Sequence, residues 1–139
     1  MNPGPSALVT VARDLLERAD PMTAGIWPRA TALLARQALE AALDDLWRLR
    51  APGIEHCSGR AQLLCLPYYV NGAEELADRV CDAWAGLSRA CHQHPYELSP
   101  TSSELLGWLA TVEQLVAHVG AGSAVRQTSG RGATEGRSH

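Results

Sequence analysis

The sequence contains no lysine and no phenylalanine. All twelve basic side chains are arginine, and alanine and leucine dominate the apolar set. That pattern reads as GC-rich coding bias and carries little mechanistic information. No apolar run reaches the ~18 residues of a membrane span. The opening Met1–Ser6 lacks the basic start and apolar core of a signal peptide, so a cytoplasmic protein is expected. The four cysteines (Cys57, Cys65, Cys81 and Cys91) form no C-x-x-C pair. Cys65, Cys81 and Cys91 fall in apolar helical settings and are expected as reduced core thiols.

A basic excess is also missing. The formal charge is −3. The last twenty residues hold Arg126, Arg131 and Arg137 against Glu135, which leaves the body at −5. Such a body has no general nucleic-acid footprint. Any RNA contact must be local or shared across an oligomer. There is no nucleophile elbow, phosphate loop or dinucleotide fingerprint. No stretch alternates as a strand does, and there is no internal repeat.

What is present is helical periodicity. One domain of 139 residues is expected. Residues 1–5 read as a disordered start. Ser6 can cap a helix over Ala7 to Arg18, with Leu8, Val11, Leu15 and Leu16 as its stripe. Asp20-Pro21 stops it. Pro28 suits the first turn of a long helix ending at Arg50. On that helix Ala30, Leu34, Ala38, Ala41, Ala42 and Leu46 form one face, which Leu39, Leu43 and Leu49 widen. Glu40 lies among these apolar positions, where pairing with Arg36 is the plain expectation. Ala51-Pro52-Gly53 ends the helix.

A short apolar helix over Arg60 to Leu66 is expected to end at Pro67, with Tyr68 and Tyr69 packing behind it. A fourth helix, Ala73 to Gln93, carries the stripe Leu76, Val80, Trp84, Leu87, Cys91. Thr101 or Ser102 opens the last helix, and Glu104 can close a capping box with Thr101. Its stripe is Leu105, Leu109, Val112, Val116, Val119. From Gly120 onward the chain is too poor in apolar residues to order itself. The expected fold is all-α: a compact bundle of four to five helices over residues 6–119, with a disordered Gly/Ser/Arg tail over 120–139.

Chemistry-bearing groups gather in one place, Arg89-Ala90-Cys91-His92-Gln93-His94-Pro95-Tyr96. On a helix Arg89 shares a face with His92 and Gln93. Pro95 pushes His94 out of helical geometry, so its imidazole can turn back towards Arg89. Histidine exchanges protons near neutral pH. Arginine keeps its charge and offers a planar fork to phosphate oxygens. The pair therefore suits metal-independent cleavage of an RNA phosphodiester. His94 would take the 2′-hydroxyl proton, and Arg89 would stabilise charge growing at phosphorus. The plainer reading is a set of cations matched to a helix C-terminus. Cys91, His92, His94 and His56 include zinc-ligand types, but no second pair has ligand spacing and Cys91 continues the core stripe, so a zinc site is not expected. No cofactor and no metal are expected.

Arg36-Gln37-Ala38-Leu39-Glu40-Ala41-Ala42-Leu43, taken with Arg89-x4-His94, resembles the HEPN superfamily, and most closely an actinobacterial branch of it. The resemblance covers about Ala7 to Val119. It implies a helical bundle acting as a homodimeric, metal-independent endoribonuclease of a toxin–antitoxin or defence system. Arg89 and His94 would be catalytic, with Glu40, His92 and Tyr96 auxiliary. RNA would be the substrate, and an antitoxin or other protein a partner. Active members often carry Asn, Asp or His directly after the Arg, and here Ala90 stands there. Ala90 and the acidic body give the alternative, a non-catalytic bundle that binds a protein or nucleotide.

Overall fold

The computed structural model describes residues 4–18, 27–70, 74–92 and 98–131, with side chains of the last helix to 122. These residues form five α-helices and one 3₁₀ turn, and no strand occurs among them. The helices are α1 (Pro5–Glu17), α2 (Trp27–Arg50), α3 (Gly59–Tyr69), α4 (Glu74–Cys91) and α5 (Ser102–Arg131), with the 3₁₀ turn at Ile54–His56.

Helix α2 is the axis of the bundle and touches α1, α4 and α5. Its sequence explains this position. Ala32, Ala35, Ala38 and Ala42 are fully buried or nearly so, and small side chains let three neighbours approach closely. Leu39, Leu43, Leu46 and Trp47 fill the spaces between them. Helix α4 adds Leu76, Val80, Ala83 and Leu87, and α5 adds Leu105, Leu109, Val112 and Leu115. These positions recur at three and four residues, so each helix turns one continuous stripe inward. The compact helical bundle read from the sequence is the observed architecture. Among the described residues, no helix is long and apolar enough to cross a membrane.

The connections follow local chemistry. Gly53 adopts φ 109°, a left-handed conformation that a Cβ would disfavour, and this terminates α2. The Gly53 amide then donates to Glu55 Oε2 at 2.8 Å. Ser58 caps α3 by accepting from the Ala61 amide at 3.2 Å. Gln62 joins three elements from a buried position. Its Oε1 accepts from Trp47 Nε1 at 3.0 Å, and its Nε2 donates to the Cys57 carbonyl at 3.0 Å. Tyr69 meets the Trp47 ring edge to face at 5.5 Å. Thr101 and Glu104 form the expected capping box: the Glu104 amide donates to Thr101 Oγ1 at 3.2 Å, and the Thr101 amide to Glu104 Oε1 at 3.4 Å.

Several expectations are corrected. Helix α1 begins at Pro5 with Gly4 at its cap, so Ser6 lies inside the first turn. Its buried face is Leu8, Val9 and Ala12, and Val11 points outward. The apolar arc of α1 is wide, and packing against α2 and α5 buries one edge of it. Pro67 does not end α3. It removes only one amide donor, and the buried Leu66 and Val70 hold the chain helical across it, with the Val70 amide on the Leu66 carbonyl at 3.1 Å. Tyr68 does not pack; it is 80% exposed. The backbone of α5 stays helical through Gly120 to Arg131, although the tail was expected to start at Gly120. Glycine in a helix costs ~1 kcal/mol relative to alanine without barring the conformation. Gly122 also lies close against Arg50, where a Cβ would stand 2.7 Å from the guanidinium. Residues 132–139 of the expected tail lie outside the described residues.

Candidate functional site

The C-terminal tip of α4 lies between α2 on one side and the start of α5 on the other. Helix α4 is positioned there by Leu87 and Ala90, which are buried against the core. The helix ends at Cys91, and the His92 amide makes one further bond to the Ser88 carbonyl at 3.1 Å. Two of the expected site residues, Arg89 and His92, are exposed on this tip. Three helical steps leave them about 60° apart around the axis.

His92 belongs to the α2 side. Arg36 Nη1 stands 3.4 Å from His92 Nε2. A guanidinium can only donate, so this contact is favourable when Nε2 is unprotonated. The same Arg36 pairs with Glu40 through Nε and Oε1 at 3.1 Å, and its guanidinium lies 5.7 Å from the centre of the Trp84 ring. Glu40, Arg36 and His92 thus form one polar line from α2 to the tip of α4. Glu40 has the partner that its sequence position suggested.

Arg89 belongs to the α5 side. With Gly86 and Ala90 it forms one wall of a groove of about 250 Å³, and Pro100, Glu104 and Trp108 form the other. Leu98 stands at the mouth and is 96% exposed. The two walls meet where the Trp108 indole packs against Gly86. A Cβ at Gly86 would fall 2.2 Å from Trp108 Cζ2, so only glycine permits this approach. Glu104 is held by its capping box through Oε1. Among the described residues Oε2 has no partner, and Arg89 makes no ion pair or hydrogen bond.

His94 and Tyr96, read from the sequence as catalytic and auxiliary, lie outside the described residues. The structure brings Glu40 and His92 to a common partner in Arg36. Among the described residues no hydrogen bond or ion pair joins Arg89 to that line. The residues that sequence reasoning did not place at the site are Trp84, Gly86, Glu104 and Trp108. The signal that was available for two of them is Gly86 inside a strong helical stripe and Trp108 three residues past the Leu105 position of another. A glycine facing a tryptophan is legible only once the helices are paired.

The titratable groups elsewhere are structural. Arg13 Nη2 donates to Glu113 Oε2 at 2.8 Å across α1 and α5. This hydrogen bond raises the Arg13 pKa and holds the Glu113 carboxyl below its usual range. Hydrogen bonds from the Glu55 and Gly53 amides hold the Glu55 carboxyl low. Burial, with Asp78 and Asp82 beside it, pushes the Cys81 thiol up. All four cysteines are free thiols, and Cys57 is exposed. Among the described residues no group of three or more His, Cys, Asp or Glu is placed to hold a metal ion. No protein-family model, curated protein or solved structure matches the chain.

Proposed function

We propose that the chain is a HEPN-type bundle that cuts RNA without a metal, as a homodimeric endoribonuclease of a toxin–antitoxin or defence system. The observation that supports this reading is Arg89. It is a permanently charged side chain, exposed on a helix tip, lining a groove, and without an ion pair or hydrogen bond among the described residues. An exposed guanidinium with no ion pair among the described residues offers its planar fork to a phosphate.

In this mechanism His94 is the base that takes the ribose 2′-hydroxyl proton. The freed oxygen attacks the adjacent phosphorus. Arg89 stabilises the charge that accumulates on the phosphate oxygens. The 5′-oxygen leaves with a proton from a second acid, supplied by the other protomer's copy of the motif, and a 2′,3′-cyclic phosphate remains. The Glu40–Arg36–His92 line orients the imidazole of His92. The test is the pH profile of cleavage in EDTA by wild type and His94→Ala. Wild type should show a bell with limbs around the histidine range of ~6.5. His94→Ala should remain folded and lose cleavage. A wild type that cuts no RNA at any pH refutes the proposal.

A second reading rests on a different observation. Leu64 and Tyr68, one turn apart on α3, are 70% and 80% exposed. Neighbouring apolar side chains left in water fit a bundle that binds a protein partner, such as an antitoxin, and does no chemistry. In that case His94→Ala leaves function intact, while Leu64→Glu with Tyr68→Glu abolishes association.

A further inference from the structure

We infer that the groove between α4 and α5 is a base pocket for guanine, and that it determines where a nucleic-acid strand is held. The inference rests on the phosphate-binding role of Arg89 proposed above and adds the identity of the base beside that phosphate.

Three features carry it. The first is a flat aromatic surface: the Trp108 indole is fixed against Gly86 and lines the groove. Unpaired bases stack on such surfaces. The second is a fixed carboxylate. The capping box holds Glu104 through Oε1, and Oε2 has no partner among the described residues. The third is Arg89 on the facing wall, a permanent cation lining the same groove. The groove volume of about 250 Å³ suits one base. It falls below the ~300–1,000 Å³ of sites for larger organic ligands.

The carboxylate selects the base. On its pairing edge guanine presents two adjacent donors, N1–H and the N2 amino group, and the two lone pairs of the uncommitted Glu104 Oε2 can accept from both. Cytosine and adenine each place a ring-nitrogen acceptor beside their amino group. That acceptor's lone pair would face the carboxylate. Uracil flanks its single N3–H with two carbonyl oxygens. A mismatch of this kind sets an acceptor against an acceptor, which costs affinity relative to guanine. Leu98 at the mouth supplies apolar contact to the outer face of the base.

The shared chemistry is a guanine with a phosphate. It can come from an unpaired guanosine in a strand or from a free guanine nucleotide. The test is binding in EDTA to short labelled oligothymidines with and without one central deoxyguanosine. These have no 2′-hydroxyl and cannot be cut by the proposed reaction. The wild-type protein should bind the dG oligomer at least tenfold more tightly. Glu104→Gln keeps the side-chain shape but turns a donor towards N1–H, and it should bind both oligomers equally. Trp108→Leu should likewise erase the preference, which covers the case in which Glu104→Gln unfolds. Arg89→Ala should weaken both oligomers alike and leave their ratio unchanged. Free GMP that competes as tightly as the dG oligomer assigns the pocket to the free nucleotide. Equal binding of the two oligomers by wild type, or no binding of oligomers and GMP, overturns the guanine pocket. Cleavage of RNA without any guanine preference would refute the pocket and leave the nuclease standing. A dG preference without cleavage would do the reverse.

Discussion

The contact between Gly86 and Trp108 gives the sharpest structural prediction, because a second glycine supplies its control. Gly86 sits inside α4, and an added Cβ would lie 2.2 Å from Trp108 Cζ2 and 2.6 Å from Cε2. Ordinary carbon contacts are ~3.5–4.0 Å, so the indole or the helix must move by more than an ångström. The indole cannot yield easily, since Leu105 and Leu109 on its own helix are fully buried. Gly107 sits inside α5 with nothing within 4 Å of an added Cβ. Both substitutions to alanine gain the same helix propensity, ~1 kcal/mol. Gly107→Ala should therefore stabilise by about that amount. Gly86→Ala carries in addition an overpacking cost of ~1–3 kcal/mol. The two variants should differ by about 2 kcal/mol in urea unfolding followed by helical circular dichroism, with Gly86→Ala the less stable. Gly86→Ala should also shift the near-ultraviolet tryptophan signal and lose the dG preference. Equal stabilisation by both substitutions would refute the packing described for α4 against α5.

Other expectations follow from single contacts. Gln62→Leu strands the buried Trp47 Nε1–H and should cost ~1–3 kcal/mol by urea unfolding, with a smaller added cost in a Trp47→Phe background. The Arg13–Glu113 pair is pH-dependent. The Glu113 pKa is lowered in the folded state, so its contribution is present above the unfolded value of ~4.3 and is lost as pH falls through the folded one. Both side chains are partly exposed, at 34% and 43%, so the coupling in an Arg13→Ala/Glu113→Ala cycle should stay at or below ~1 kcal/mol at neutral pH and vanish in acid. Thr101→Ala removes the cap of α5 and should cost ~1 kcal/mol by the same unfolding assay. Cys81 is half-buried with its thiol pushed up, and Cys57 is exposed, so thiol reagents at neutral pH should modify Cys57 first in a peptide-mapped time course.

Much of the bundle was legible because its signals are local. The stripe Leu76, Val80, Leu87 specifies the inward face of α4 without knowledge of any neighbour. The Thr101–Glu104 box and the Glu40–Arg36 pair lie within one turn, so spacing alone predicts them. What escaped depends on more than one helix. The phase of α1 is set by its two neighbours, α2 and α5, which bury one edge of a wide apolar arc. Pro67 reads as a stop, yet burial of Leu66 and Val70 outweighs one missing amide. Of the site, Arg89 and His92 were found as a cluster in sequence. Their division between an α5-facing groove and an α2-facing ion-pair line arises from helix packing. Trp108 and Gly86 are far apart in sequence, and nothing in either neighbourhood announces the other.

The central claim is that Arg89 serves a phosphate during RNA cleavage. The direct measurement is the rate at which wild type and Arg89→Ala cut total cellular RNA in EDTA, with urea stability of both recorded. The account predicts cleavage by wild type to 2′,3′-cyclic phosphate ends. It predicts a loss of at least a hundredfold in Arg89→Ala, an exposed change that leaves stability within ~0.5 kcal/mol. Equal cleavage by the two proteins, or none by wild type, would contradict it.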